Sequence, residues 1–181
     1  MNIEIRRLTP DLTEDYVRFF DETPHNNEYG IKCYCVAWRS DASYAGDGNH
    51  WYPTEEERRE KALQFVRDGH IQGYLAYHGD KIVGWCNANA DGQLGVNHLR
   101  SEWPIEQYPA GVKIKSVFCF VIAPAMQRKG LATQLLERVC RDAAVDGFDF
   151  VEGYTNKKFA NDGFQGPLAM YEKCGFSKCA K

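Results

Sequence analysis

The segment 117–144 most constrains the fold of this chain, because an apolar run leads through a glycine-containing turn into an amphipathic pattern. Residues 117–122 are all apolar, which predicts a strand covered on both faces, and Pro124 ends its pairing. Beyond the turn, apolar side chains recur at helical spacing, and charged ones take the opposite side. The apolar positions of this predicted helix are Leu131, Leu135, Leu136, Val139, Cys140, Ala143 and Ala144. The segment therefore predicts a strand, a turn and a helix with one packed side.

The turn, residues 127–132 with the sequence QRKGLA, predicts a binding site for an anion. The first N–H groups of a helix have no partner within it, and Gly130 and Ala132 carry almost no side chain that would keep a ligand away. Helix N-termini of this kind bind phosphate groups. The alternative is that these residues are simply the solvated start of a helix.

A second block, residues 167–176 with the sequence PLAMYEKCGF, places Tyr171 a few residues before a Gly-Phe pair. The pattern Q-x-x-G-x-A after a strand ending in x-x-P resembles the coenzyme A pyrophosphate loop of the GCN5-related N-acetyltransferase (GNAT) family. The second block resembles the late helix of that family, and the order and separation of the two blocks also match. The close resemblance covers roughly the last third of the chain.

The resemblance implies acyl transfer from a coenzyme A thioester, with acetyl-CoA as the donor and no metal. Backbone amides of residues 128–133 would hold the pyrophosphate, the open strand edge at 120–122 would pair with the pantetheine arm, and an asparagine at position 156 would contact that arm. The candidate cofactor-binding residues are Phe120, Val121, Ile122, Gln127, Arg128, Lys129, Gly130, Leu131, Ala132, Thr133 and Asn156.

Two residues are candidates for proton transfer. Tyr171 corresponds to the usual general acid of the family, and its alternative role is that of a core aromatic residue. Glu152 follows an apolar strand and resembles a base used by some members; its alternative roles are an acceptor for a neighbouring amide or an ion-pair partner of Lys157. A backbone N–H near Ile122 would stabilise the oxyanion, provided that the strand is distorted there.

Composition is typical of a single domain, here 1–181, since 181 residues with 44% hydrophobic residues suffice for one sizeable core. A net charge of -3 and a pI near 6.0 argue against nucleic acid or an anionic membrane as the main partner. The N-terminus lacks an apolar signal core, and no run is long enough to span a bilayer, so the cytoplasm is the expected location.

Seven cysteines, an odd number, do not predict a disulfide framework in a chain without an export signal. Cys33 and Cys35 would share one face of a strand, which leaves a metal or redox pair as an alternative. No second Cys or His pair follows at the spacing of a zinc site, so a structural role is favoured.

Local patterns predict the remaining elements. Thr9 and Pro10 are typical of a helix start, and Thr54 with Glu57 forms a capping box. The predicted elements are a strand at 3–8, helices at 10–20 and 54–69, a strand-like core at 33–38, a hairpin of 74–77 with 81–85, a strand at 148–151 and a short helix at 168–174.

The predicted fold class is α/β, with a GNAT-type mixed, mostly antiparallel twisted sheet flanked by helices. Family members usually continue with two strands after the Gly-Phe pair, whereas five residues remain here, so the sheet is expected to be short at its C-terminal end. A truncated chain, a short sheet and a partner strand all explain this, and an exposed edge would favour a homodimer.

The acceptor is expected to bind in the first half of the chain, although the same residues are also typical of solvated loops and of the core. The candidates are Asp21, Glu22, His25, Glu28, Tyr29, Trp38 and Trp85. The function implied is direct transfer of acetyl to a primary amine of a small molecule in a ternary complex. A protein N-terminus or lysine as acceptor, or a CoA-binding regulatory module without turnover, remains an alternative.

Overall fold

The computed structural model describes residues 2–24, 30–39, 52–90, 108–155 and 164–179. Its strands are β1 (Glu4–Arg7), β2 (Gly73–His78), β3 (Lys81–Ala90), β4 (Ile114–Ile122) and β5 (Phe150–Gly153). Its helices are α1 (Thr13–Glu22), α2 (Glu55–Arg67), α3 (Leu131–Val145) and α4 (Leu168–Lys173), and short 3-10 turns precede α1 and α3. No helix in these ranges is both long and apolar enough to cross a membrane.

The five strands form one sheet in the order β1-β2-β3-β4-β5. The first four are antiparallel, and β5 is parallel to β4, to which α3 connects it. The hairpin between β2 and β3 is confirmed, and Gly79 adopts the positive φ of 61° that its tight turn requires. The predicted mixed, mostly antiparallel α/β fold is therefore correct.

Apolar residues cover both faces of the sheet. On the α1/α2 face, Trp85 of β3 belongs to a buried cluster with Tyr16, Phe20 and Phe65, and the Tyr16 ring packs edge-on against it. On the α3 face, Leu131, Leu135, Leu136 and Val139 pack against β2, β3 and β4. Three details of these elements differ from prediction. Ala144 is exposed, since the last buried residue of α3 is Ala143. Pro10 begins a 3-10 turn without a side-chain bond from Thr9, and β5 begins at Phe150 rather than at Phe148.

The segment 33–38 is a turn, so the strand-like core predicted there is wrong. Tyr34 and Cys35 have φ values of 47° and 48°, in the left-handed region that a strand cannot contain. Tertiary contacts compensate for this strained backbone, since the Tyr16 hydroxyl donates to the Tyr34 carbonyl at 2.8 Å and the Arg58 guanidinium to the Lys32 carbonyl at 2.8 Å. Cys33 and Cys35 consequently do not form a pair on one strand face.

Candidate active site

The strands β4 and β5 separate, and the gap between them is the centre of the site. They pair from Ile114 opposite Phe150 to Val117 opposite Gly153, whereas β4 continues to Ile122. In the register with β3, Phe118 is an extra residue, because Asn87 lies opposite Cys119 and Ala88 opposite Val117. Such a bulge bends and twists a strand, which accounts for the separation. The distortion thus lies at Phe118 rather than at Ile122.

The edge of β4 along this gap presents the amide of Ile122, which the sheet does not use. Ile122 lies opposite Gly84, and the next amide, that of Ala123, donates to the Val83 carbonyl at 3.0 Å. The alternation of an antiparallel ladder therefore directs the Ile122 N–H away from β3 and towards the gap. The Phe120 amide points the same way but already donates to the carbonyl of Phe164 at 2.7 Å.

The turn before α3 presents backbone N–H groups to solvent. Arg128 and Gly130 have φ values of 60° and 79°, and a turn of this left-handed type directs successive N–H groups to one side. The first bond of the helix runs from the Gln134 amide to the Gly130 carbonyl, and within the described ranges no hydrogen bond uses the amides of residues 128–133. A Cβ at position 130 would meet no atom within 4 Å. The turn is thus open to a ligand.

The side chain of Gln127 closes this turn onto the end of β4. Its amide donates to the Ile122 carbonyl at 3.1 Å, so it is engaged with the protein backbone. Arg128 and Lys129 are exposed beside it. The open turn before α3 and the Ile122 amide of β4 therefore lie close together, at the end of the gap.

Tyr171 of α4 is buried on the α3 face of the sheet. Its ring packs edge-on against Phe120 and Phe176, and its hydroxyl donates to the Gln165 carbonyl at 2.7 Å. Burial raises the pKa of Tyr171 well above its ordinary value, so the phenol keeps its proton. Tyr171 is therefore a core residue, and its phenol also carries a proton that a general acid would need.

Glu152 of β5 is buried on the opposite, α1/α2 face. Its Oε2 accepts a hydrogen bond from the Tyr154 hydroxyl at 2.5 Å, and the Tyr154 oxygen lies 3.3 Å from the Ser116 hydroxyl. Ser116 lies opposite Glu152 in the ladder, so the three groups form one polar cluster at the start of the gap. A carboxylate in this position can receive a proton from a molecule that enters from the α1/α2 face.

Of the residues predicted to bind the acceptor, Asp21 and Trp85 have structural partners. Asp21 forms hydrogen bonds with the Arg59 guanidinium and the Tyr34 hydroxyl. Trp85 is fully buried, and its Nε1 donates to the Cys35 thiol at 3.3 Å. Trp38, in contrast, is half-buried and stacks on Phe118, beside the Glu152 cluster.

The remaining candidates are less informative. Glu22 is an exposed residue at the end of α1. His25, Glu28 and Tyr29, as well as Asn156 and Lys157, lie outside the described residues.

Sequence reasoning missed four polar residues on the same side of the sheet as Glu152, namely Asn87, Asn89, Ser116 and Tyr154. Asn87, Asn89 and Ser116 are all 0% exposed. The alternation Trp85, Asn87, Asn89 in an otherwise apolar strand was the available signal, because polar side chains on a buried face need partners.

Three of the cysteines, Cys35, Cys86 and Cys119, are buried in the core, whereas Cys179 is exposed and the others are partly buried. Cys35 and Cys119 place their sulfur atoms 3.6 Å apart on the α1/α2 face. In the described part of the chain, no group of three His, Cys, Asp or Glu residues could hold a metal ion.

Comparisons with known proteins show the family of the chain. The model described as the acetyltransferase (GNAT) family matches residues 35–176. No curated protein matches the chain.

Solved structures share the fold at low identity. An aminoglycoside acetyltransferase from an uncultured soil metagenomic sample is 17% identical, with a TM-score of 0.57 over 100% of this chain and 95% of that one. Aminoglycoside N-acetyltransferase AAC(6')-Iy in complex with CoA is 11% identical, with a TM-score of 0.58 over 99% and 91%. A GCN5-related N-acetyltransferase from Ralstonia eutropha JMP134 is 16% identical, with a TM-score of 0.57 over 99% and 95%. At these identities the likeness shows the fold alone.

Proposed function

Because the chain belongs to the acetyltransferase (GNAT) family, we propose that it transfers acetyl from acetyl-CoA to a primary amine of a small molecule, directly and in a ternary complex. The observation that carries the proposal is the open turn before α3, which lies at the end of the gap between β4 and β5. Acetyl-CoA is an extended molecule, so its diphosphate would lie at the turn while its thioester lies in the gap. The aminoglycoside acetyltransferases of the same fold support a small-molecule acceptor.

Binding of the donor would use mainly backbone groups. The amides of residues 128–133 would donate to the pyrophosphate, and Arg128 and Lys129 would add positive charge. The pantetheine arm would run beside residues 120–122 and leave the Ile122 amide to the thioester carbonyl, while the Phe120 amide stays with Phe164. Contact with Asn156 remains a prediction from the sequence.

The proposed chemistry is attack by the nitrogen of a neutral amine on the thioester carbonyl carbon. Glu152, directly or through water, would take the proton that the amine loses. The Ile122 amide would donate to the developing oxyanion, and the Tyr171 phenol would give its proton to the departing sulfur. Donor and acceptor would therefore approach from opposite faces of the sheet and meet in the gap.

Titration with acetyl-CoA tests the binding step. Gly130→Leu should weaken binding at least about 10-fold, because a side chain would enter the space proposed for the diphosphate. Gly147→Leu is the matched control, since Gly147 follows the other end of α3 with a φ of 74° and equally open surroundings. Absence of binding to the wild type, or equal binding by both variants, would overturn the proposal.

Consumption of acetyl-CoA tests the reaction. A panel of simple amines, polyamines, aminoglycosides and peptides separates the alternatives, because turnover with peptides alone indicates a protein acceptor. Binding of acetyl-CoA without turnover of any amine indicates a regulatory module. Light scattering tests the homodimer predicted from the sequence.

A further inference from the structure

A row of buried polar side chains crosses three strands on the α1/α2 face. Asn89 of β3 lies opposite Ser116 of β4, which lies opposite Glu152 of β5. Residues opposite one another in a sheet project from the same face, so the three side chains are neighbours. They are 0%, 0% and 6% exposed. The row thus extends from the proposed base towards the middle of the sheet.

The carboxamide of Asn89 is held in one orientation. Its Nδ2 donates to the Trp38 carbonyl at 2.9 Å and to Asn87 Oδ1 at 3.4 Å. Rotation by 180° would bring the Asn89 oxygen against these two oxygens, so the observed orientation is strongly preferred. The Oδ1 atom is buried and receives no hydrogen bond from any residue that the structure describes. Buried acceptors of this kind normally have a donor.

We propose that Asn89 Oδ1 accepts a hydrogen bond from the acceptor substrate, and that this substrate is an amine with a second N–H or O–H donor. The inference rests on the proposed function, because it takes Glu152 as the place where the reacting amine loses its proton. Two strand spacings, roughly 10 Å, separate the backbones of Asn89 and Glu152. The second donor therefore lies within this distance of the reacting nitrogen.

Aromatic rings beside the row favour a diamine over an amino alcohol. Trp38 stacks on Phe118, and the Tyr154 ring lies 6.2 Å from that of Phe118, between centroids. The faces of such rings attract an ammonium group and pack against a methylene chain. The substrate class is thus a short aliphatic diamine, or a larger molecule that contains this unit.

Selectivity of the wild type is the first test. Values of kcat/KM for 1,5-diaminopentane, 5-amino-1-pentanol and pentylamine are compared at one pH with saturating acetyl-CoA. Pentylamine would leave Asn89 Oδ1 without a donor, so we expect it to react at least about 100-fold less efficiently than the diamine, with the amino alcohol in between. Equal values for the three compounds would overturn the proposal.

Two variants assign this selectivity to Asn89. Asn89→Leu has the same branching and number of side-chain heavy atoms but no acceptor, and it should lower the ratio of diamine to monoamine at least about 10-fold. Asn89→Gln retains a carboxamide, with both a donor for the Trp38 carbonyl and an acceptor for the substrate, and should retain the preference for the diamine. A role in folding alone would lower all three kcat/KM values equally, and this result would overturn the proposal. If Asn89→Leu does not fold, the wild-type ratio and Asn89→Gln decide.

Failure of the underlying function has a different signature. The proposed function is contradicted if the protein binds no acetyl-CoA, or if none of the amines tested is acetylated. A protein that acetylates amines without preference for a second donor contradicts only the role of Asn89.

Discussion

The ring of Tyr171 lies so close to the backbone of Gly153 that no Cβ fits between them. Neighbouring residues of a strand point to opposite faces, so Glu152 projects away from Tyr171 and towards Tyr154. The two proton-transfer candidates therefore lie on opposite sides of β5, at the point where it separates from β4. In the proposed reaction, the leaving sulfur and the incoming amine occupy these separate sides.

Gly153→Ala should displace the Tyr171 ring, because the new methyl group would overlap ring atoms that burial prevents from moving. We expect a loss of about 1–3 kcal/mol in the free energy of unfolding, measured in urea, together with reduced turnover.

Gly84→Ala is the matched control within β3. There the Cβ would meet the ends of the Leu131 and Ile122 side chains at 3.1 and 3.2 Å, which can shift. An effect at Gly153 no larger than that at Gly84 would contradict the close packing of Tyr171.

Tyr171→Phe should lower kcat by about 10²- to 10⁴-fold if the phenol protonates the leaving sulfur. Affinity for acetyl-CoA, measured by titration, should be unchanged, because the ring that packs on Phe120 remains. The lost bond to the Gln165 carbonyl should cost about 0.5–1.5 kcal/mol of stability.

Tyr74→Phe provides the control for this substitution, since Tyr74 is buried in the same cluster on the α3 face. Its kcat should equal that of the wild type. Unchanged turnover in Tyr171→Phe would show that solvent or another group supplies the proton.

Glu152→Gln should lower kcat by about 10²- to 10⁴-fold if the carboxylate takes the proton that the amine loses, because a glutamine amide cannot act as a base. Turnover should be measured with the best amine of the panel at saturating acetyl-CoA.

The exposed Glu172 of α4 offers the control, as Glu172→Gln removes a carboxylate outside the polar cluster. Equal turnover by Glu152→Gln and the wild type would assign proton removal to solvent.

Asp21→Asn should lower stability at neutral pH but not in acid. Burial alone would raise the pKa of Asp21, but hydrogen bonds from Arg59 and Tyr34 outweigh it and keep this pKa below its ordinary value. A lowered pKa in the folded state means that the stabilisation is present above the unfolded pKa, about 3.9, and is lost as the pH falls through the folded value. We expect a difference of up to about 1 kcal/mol at pH 6, which decreases as the pH falls below the unfolded pKa of about 3.9.

Urea unfolding of Asp21→Asn and the wild type at several pH values measures this difference. Glu22→Gln, at the exposed neighbouring position, should show no comparable pH dependence. A difference that persists at the lowest pH would contradict the ionic contribution of Asp21.

Local sequence was sufficient for most elements, among them the turn before α3 and the helix α4 that the proposed site uses. The capping box of Thr54 and Glu57 forms as predicted, because its hydrogen bonds join residues three apart. The strand, turn and helix at 114–145 also follow from adjacent residues, as does the end of α4 at Gly175, which has a φ of 87°. Hydrophobic periodicity and turns depend on residues that are close in the chain, so one sequence is enough to predict them.

Contacts between distant segments determined the rest. The bulge at Phe118 depends on the register in which β3 pairs with β4, and it separates β4 from β5. Held by Tyr16 and Arg58, the 33–38 segment turns where its composition favours a strand. The row of Asn89, Ser116 and Glu152 exists only once three strands are aligned. Each of these features depends on which remote residues become neighbours, and hydrophobic spacing along the chain does not specify that choice.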